Sequence, residues 1–231
     1  MTIMRKKKAL LILVAILACL LLTTLSFKFF LPQKVFISGT LVERSLDDLF
    51  SKSALVVRGT VNESSETFKI QNTNGGVAIF TDYKFDVSEL VRGNDLDNEL
   101  TIRVQGGTIG KETEVYEHSP VLSSENDYLL FLYKPARGGA YNTDGDYYYI
   151  LGLTQGTFVV NEEGNFISES GGVLFADDIA QYVKTAGPVN TNYFREEYIA
   201  NQMRNLETGF ITQEEYDELI KNIDVYATIV K

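Results

Sequence analysis

Few residues in this chain could do chemistry, and each occurs in a setting that limits it. The only histidine, His118, stands beside Ser119, but adjacency in sequence does not place a hydroxyl on an imidazole. The only cysteine, Cys19, lies in an apolar run, so residues 34–231 can form neither a disulfide nor a thiolate zinc site. We therefore predict no catalytic residue, no cofactor and no metal centre, and expect a protein that is not an enzyme.

Carboxylates are the remaining candidates, because the chain has 31 acidic residues. A pair of them could hydrolyse a glycoside without histidine, so a carboxylate-dependent hydrolase stays an alternative. Asn142, Asp144 and Asp146 place three oxygen-bearing side chains on one turn, the ligand type that calcium prefers. Leu153 stands where an EF-hand has its glutamate, and hairpin turns use the same residue types, so a calcium site and a plain turn both stay open.

Tyr141, Tyr147 and Tyr149 form the one aromatic cluster that is suited to recognition. In a strand, Tyr147 and Tyr149 share one face and Tyr148 takes the other. Exposed tyrosines stack on sugar rings and on peptide side chains. We predict these three residues as a candidate ligand face, with core filling in a barrel without tryptophan as the competing interpretation.

Charge separates the N-terminus from the body of the chain. Residues 1–33 hold five of the 21 basic residues and no acidic one, so the body carries 16 basic against 31 acidic residues, a formal charge of −15. Such a body repels phosphate backbones and gains nothing from counterion release. Nucleic acid is therefore excluded as a partner.

The N-terminus has the pattern of a membrane anchor. Four basic residues at 5–8 precede an apolar run over residues 9–27, long enough for a helix to cross a bilayer. By the positive-inside rule the N-terminus is cytoplasmic, which predicts a single-pass cell-membrane protein with an extracytoplasmic body. Residues 16–19 also resemble a lipobox, so lipidation of Cys19 and burial of Cys19 in a membrane helix both stay open.

The body divides at residue 172. Residues 34–172 contain short β-branched and aromatic segments between turn signals, which predicts an antiparallel barrel or sandwich. Residues 173–231 change to a helical period, with a helix hairpin over 192–224 whose second helix starts at a capping box of Thr212 and Glu215. Predicted strands are 35–42, 54–61, 77–91, 99–104, 127–133, 146–151, 156–160 and 165–167, with a helix after Ser45, a long loop over 106–120 and a helix over 177–185.

The strand pattern carries a resemblance over residues 50–168. Its features are the Gly59-Thr60-Val61 segment, a long strand that ends at Gly93, a strand that ends at Gly106-Gly107, and the apolar segment 128–132. The pattern resembles uncharacterised secreted bacterial domains with an OB-like barrel, distantly similar to the netrin/TIMP type. TIMP-type inhibitors act through an N-terminal cysteine, which this body lacks, so the resemblance implies the barrel fold alone. Together with the anchor and the helical region, the predicted fold class is mainly β: an OB-like antiparallel barrel with an N-terminal transmembrane helix and a C-terminal helical appendage.

Residues 206–219 resemble the short C-terminal helical hairpin called SHOCT, which implies oligomerisation. Export, missing catalytic groups and the barrel resemblance together predict a non-enzymatic binding or accessory module of the bacterial cell surface. Its expected partners are the membrane and a protein or cell-wall glycan ligand. A self-associating structural protein, assembled as a homo-oligomer through the hairpin, is the first alternative.

Overall fold

The computed structural model describes residues 16–17, 32–72, 74–94, 98–135, 141–169, 171–189, 193–221 and 228–230. Most of the anchor predicted over 1–33, including Cys19, lies outside the described residues, as do both ends of the predicted hairpin 192–224. In the part of the chain that is described, no helix has the length and apolar character needed to cross a membrane.

The described residues are mainly β-structure, with helices at both ends of the body. The strands are β1 (Gln33–Ile37), β2 (Leu55–Gln71), β3 (Val77–Arg92), β4 (Glu99–Gln105), β5 (Gly107–Ile109), β6 (Glu112–Tyr116), β7 (Asp127–Tyr133), β8 (Tyr149–Ile150), β9 (Thr157–Val160), β10 (Phe166–Ser168), β11 (Val173–Leu174) and β12 (Thr228–Val230). The helices are α1 (Leu46–Lys52), α2 (Ile179–Thr185), α3 (Tyr193–Glu207) and α4 (Gln213–Lys221), with 3₁₀ turns at Leu153–Gly156 and Ala176–Asp178.

Antiparallel pairs build the main sheet in the order β11-β10-β9-β7-β2-β3-β4. Strand β8 also pairs with β7, and β12 pairs with the far end of β2. A smaller sheet has the order β1-β6-β5, and its β1–β6 pair is parallel. In the long β2–β3 hairpin, β2 also pairs with β7 and β3 with β4, and the hairpin register shifts between Val61 and Ser65.

The two strands at the centre of the main sheet bury both of their faces, which explains the unbroken apolar segment of β7. On one face, Val57 and Leu130 belong to a core formed with β3 and β4. On the other face, Val56 and Phe131 pack under α1 and α2, where the Phe50 ring lies 4.8 Å from Phe131 and 5.2 Å from the Tyr182 ring. A strand between two apolar layers shows no alternation.

Within the described residues the strand pairs do not form a closed barrel, so of the predicted fold class the mainly antiparallel β-structure with helices is confirmed. The last strand of the sheet, β4, does reach the residue that precedes β8. Ile102 and Tyr148 form an isolated parallel bridge. The Arg103 N–H donates to the Tyr148 carbonyl at 2.8 Å, and the Tyr148 N–H donates to the Thr101 carbonyl at 2.9 Å.

Several predicted elements are confirmed. The first helix begins after Ser45, whose hydroxyl accepts the Asp48 N–H at 3.1 Å. The capping box at the start of α4 is formed in both directions: Thr212 Oγ1 accepts the Glu215 N–H, and the Glu215 carboxylate accepts the Thr212 N–H at 2.7 Å. Helix α2 and the β9–β10 hairpin lie where predicted.

Other predicted boundaries are wrong. The loop expected over 106–120 contains the β5–β6 hairpin, because its Thr and Val residues pair beside β1. Strand β2 continues through the polar stretch after residue 61, since β3 gives those residues a partner. The strands expected over 35–42 and 146–151 are shorter, at Gln33–Ile37 and Tyr149–Ile150.

Candidate functional site

An ion pair with a buried arginine lies among aromatic side chains of the main sheet. Arg103 on β4 and Asp82 on β3 are directly opposite in the register of the two strands. Arg103 Nε and Nη2 donate to the two oxygens of Asp82, each at 2.7 Å. Arg103 is 5% exposed, so this bidentate pair is held away from water.

Aromatic rings enclose the same guanidinium. Its central carbon lies 3.7 Å from the centre of the Tyr147 ring and 4.8 Å from that of Phe68. Nη1 donates to the Thr143 hydroxyl at 2.6 Å. Burial alone would lower the pKa of Arg103, but the bonds to Asp82 and the charge of Asp82 outweigh it, so the pKa is raised. Arg103 is therefore a permanent charge that Asp82 balances.

The three tyrosines of the predicted ligand face are not equally placed. Tyr147 is 3% exposed, and its hydroxyl is already used: it donates to the Thr143 carbonyl at 3.1 Å and accepts the Thr143 N–H at 2.9 Å. For Tyr147, burial favours the competing interpretation, core filling, because its ring packs against the Arg103 guanidinium. Tyr141 and Tyr149 are half-buried and do line a common cleft, with the Tyr149 ring 5.6 Å from Tyr147.

 The cleft has a volume of about 210 Å³. Its walls include the rings of Tyr133, Tyr141 and Tyr149, with Arg103 and the amide of Gln105 as polar groups. The volume is below the roughly 300–1,000 Å³ of drug-sized ligand sites, so the cleft fits one ring or one short side chain.

Two phenols of the cleft, those of Tyr133 and Tyr149, are neutral hydrogen-bonding groups. Burial raises the pKa of Tyr133 to about 12. Burial, and after it the neighbouring Tyr147, also raises the pKa of Tyr149. A phenol with a raised pKa is a poor nucleophile and a poor base at neutral pH, so Tyr133 and Tyr149 can meet a ligand as neutral donors and acceptors.

The raised pKa of Tyr133 predicts a loss of stability in alkali. The folded state holds the phenol proton more tightly than the unfolded state, so the stabilisation is complete below about pH 10 and is lost as pH rises to about 12. Tyr133→Phe should reduce this loss by about 2 kcal/mol. Urea unfolding at several alkaline pH values measures it, with Tyr198→Phe on α3 as the control. An alkaline loss of the same size in Tyr133→Phe would contradict the assignment.

The other predicted site residues lie apart from one another. The Ser119 hydroxyl donates to the Gln105 carbonyl at 2.6 Å, so it is not directed at His118. Asp146 accepts from Lys134 at 2.8 Å, Asp144 is exposed, and Asn142 lines the cleft. Within the described ranges, no group of three or more His, Cys, Asp or Glu side chains is placed to hold a metal ion. A calcium site at these residues stays a prediction.

Two larger cavities lie beside α1, and several of their polar side chains are bonded to the fold. The cavity of about 420 Å³ includes His118, Arg44 and Gln155. The Gln155 amide accepts the Arg44 N–H and donates to the Val42 carbonyl. An open cavity of about 680 Å³ includes Asp48, which pairs with both Arg44 and Lys52. We therefore take the aromatic cleft as the candidate site.

Sequence reasoning missed Arg103, Asp82 and Tyr133. A signal was present, since Asp82 and Arg103 are opposite charges near the middle of two consecutive apolar strands. Using that signal requires the strand register, because a shift of one residue would place the two side chains on opposite faces. Tyr133 ends the most apolar strand and reads as core for that reason.

No protein-family model matches the chain, and no curated protein matches it. The function is therefore inferred from the residues and the cleft alone.

Proposed function

We propose that this protein is a membrane-anchored, extracytoplasmic, non-enzymatic binding module of the bacterial cell surface, with the aromatic cleft as its binding site. The observation that carries the proposal is the lining of the cleft: three tyrosines share it with an arginine whose charge is already balanced. Support for the anchor comes from the basic residues at 5–8 and the apolar run at 9–27.

The lining favours a neutral sugar over a charged ligand. Asp82 compensates Arg103 at 2.7 Å, so a ligand carboxylate would compete with a bidentate partner already in place. The faces of tyrosine rings accept the C–H face of a sugar, and side-chain amides bond its hydroxyl and acetamido groups. A ring of a cell-wall glycan has this chemistry.

The proposal includes an OB-like barrel built from β2, β3, β4, β7 and β8. The bridge between Ile102 and Tyr148 supports it, because this contact brings β4 back to the segment that enters β8. The cleft then lies next to the point of closure, since Arg103 and Tyr149 are the neighbours of the bridged residues. OB-like barrels bind ligands across one face of the barrel.

A titration with a trimer of N-acetylglucosamine tests the proposal. We expect saturable binding to the full chain in detergent, and Tyr141→Ala should weaken it by about tenfold, the loss of one stacking contact. Tyr198→Ala, which removes a tyrosine from α3 outside the cleft, is the matched control. Unchanged affinity in Tyr141→Ala would place the ligand elsewhere. Cleavage of the trimer would favour the hydrolase alternative.

The C-terminal hairpin supports a second candidate function, self-association. Neither α3 nor α4 has a buried residue, and Phe210 between them is 82% exposed. Met203 on α3 is 48% exposed. An exposed apolar patch on a helical hairpin is a usual site of protein association.

Self-association predicts a change of mass on replacing the exposed apolar residues. The double variant Met203→Ser and Phe210→Ser should turn a defined oligomer into a monomer, as measured by light scattering on the chain from residue 32 onward. Phe175→Ser is the control, because Phe175 is also exposed (54%) but lies outside the hairpin. An unchanged mass in the double variant would rule out assembly through this hairpin.

A further inference from the structure

Strand β1 exposes apolar side chains at the edge of the small sheet. Val35 is 51% exposed and Phe36 is 70% exposed. Strand β6 pairs with one edge of β1, and among the described residues no strand pairs with the other edge. Exposed apolar edge strands are uncommon in soluble proteins unless another surface covers them.

Basic residues surround the beginning of this strand. The Lys34 ammonium lies 4.7 Å from the centre of the Phe36 ring. The Gln33 N–H donates to the Lys111 carbonyl at 2.7 Å, which brings the β5–β6 turn to the same end. The nearby carboxylate of Glu112 is paired with Lys69. Lys34, Lys69 and Lys111 thus outnumber Glu112 and Glu114 of β6, so this end of the sheet has a small excess of positive charge, although the body as a whole carries a formal charge of −15.

Covalent geometry keeps β1 close to the predicted anchor. The apolar run ends at residue 27, and Lys34 follows it by seven residues. Fully extended, such a segment spans at most about 25 Å. Residues 29–31 are Phe, Phe and Leu, which are themselves suited to the membrane interface. Lys34 follows Leu31 by only three residues, so the chain holds it within about 10 Å of Leu31. This distance is close to the Debye length at physiological salt.

We propose that β1 lies on the extracytoplasmic surface of the lipid bilayer, where Phe36 and Val35 enter the interface and Lys34 contacts anionic headgroups. The proposal rests on the membrane anchor of the proposed function. Aromatic side chains favour the interface, and basic residues within a Debye length of anionic lipid are attracted to it. The acidic remainder of the body is repelled from the same surface, so β1 and the β5–β6 turn face the lipid.

The absence of tryptophan from the chain provides a direct test. Phe36→Trp in the full chain introduces a single indole, which is read in vesicles of phosphatidylcholine and phosphatidylglycerol with brominated acyl chains. We expect blue-shifted emission that the bromines quench. Phe175→Trp, at an exposed position beyond β11, should remain unquenched. Adding Lys34→Glu to Phe36→Trp should reduce quenching in the anionic vesicles but not in phosphatidylcholine alone.

Each other outcome overturns the proposal. Emission typical of water, without quenching, in chains that float with the vesicles would show that β1 stands away from the bilayer. Blue-shifted emission without quenching would show that protein, such as a second copy of the chain, covers Phe36. Chains that do not float with the vesicles would remove the anchor, and with it this proposal, whereas the sugar titration would still report on the cleft.

Discussion

Replacing Arg103 with alanine is expected to lower the free energy of unfolding by about 3–5 kcal/mol. The reason is the position of its partner. Asp82 accepts two hydrogen bonds from Arg103 at 2.7 Å, and without the guanidinium its carboxylate stays half-enclosed and unpaired. The Thr143 hydroxyl and the Tyr147 ring lose their partner as well. Urea unfolding measured by circular dichroism gives the change.

An exposed ion pair on the same two strands is the control. Lys84 and Glu99 lie 3.5 Å apart, with side chains 44% and 52% exposed. Lys84→Ala should therefore cost no more than about 1 kcal/mol. If Arg103→Ala were as mild as Lys84→Ala, the Arg103 pair would not be the organising contact of the cleft. The double variant Asp82→Leu and Arg103→Leu should recover much of the loss, since it leaves no buried charge unpaired.

The second large effect is expected at Phe50. This side chain is fully buried between the Phe131 ring of the sheet and the Tyr182 ring of α2. Phe50→Ala should cost about 3–5 kcal/mol, because it removes a large apolar side chain and leaves a cavity between α1 and the sheet. Urea unfolding measures the total loss, and hydrogen exchange should show faster opening of α2 than of β7.

Phe210→Ala is the matched control for Phe50, because it removes the same ring from a position that is 82% exposed. Its expected effect on the stability of the monomer is within about 0.5 kcal/mol. Equal losses of stability at the two positions would contradict the packing of α1 and α2 on the face of the sheet that carries Phe131.

Local patterns predicted the elements whose signals are contained in a few residues. Ser45 and the Thr212–Glu215 pair mark helix starts, because a cap depends only on the residues beside it. The segment of β7 is apolar enough to indicate a central strand without knowledge of its partners. These three features are confirmed.

Elements that depend on distant partners were not predicted. The second half of β2 is polar in sequence and becomes a strand because β3 lies beside it. The β5–β6 hairpin is stabilised by β1, more than 70 residues earlier in the chain. Tertiary context overrides local propensity in such strands.

The candidate site also depends on distant strand partners, so the sequence predicts only some of its residues. Tyr141 and Tyr149 line the cleft, and Tyr147 is buried beneath it. The period of a strand places Tyr147 and Tyr149 on one face but does not say whether that face is covered. Arg103 covers Tyr147, and it is brought there by the pairing of β3 with β4.

The measurement that tests the central claim most directly is thiol labelling in intact cells. The claim is that a tether places the body outside the membrane, and Cys19 is the only cysteine of the chain. In a Cys19→Ser background, Ser124→Cys supplies one exposed thiol on the body and Thr2→Cys one at the N-terminus. A membrane-impermeant maleimide should label Ser124→Cys in intact cells and label Thr2→Cys only after lysis. Labelling of Thr2→Cys alone in intact cells, or of neither before lysis, would contradict an extracytoplasmic binding module.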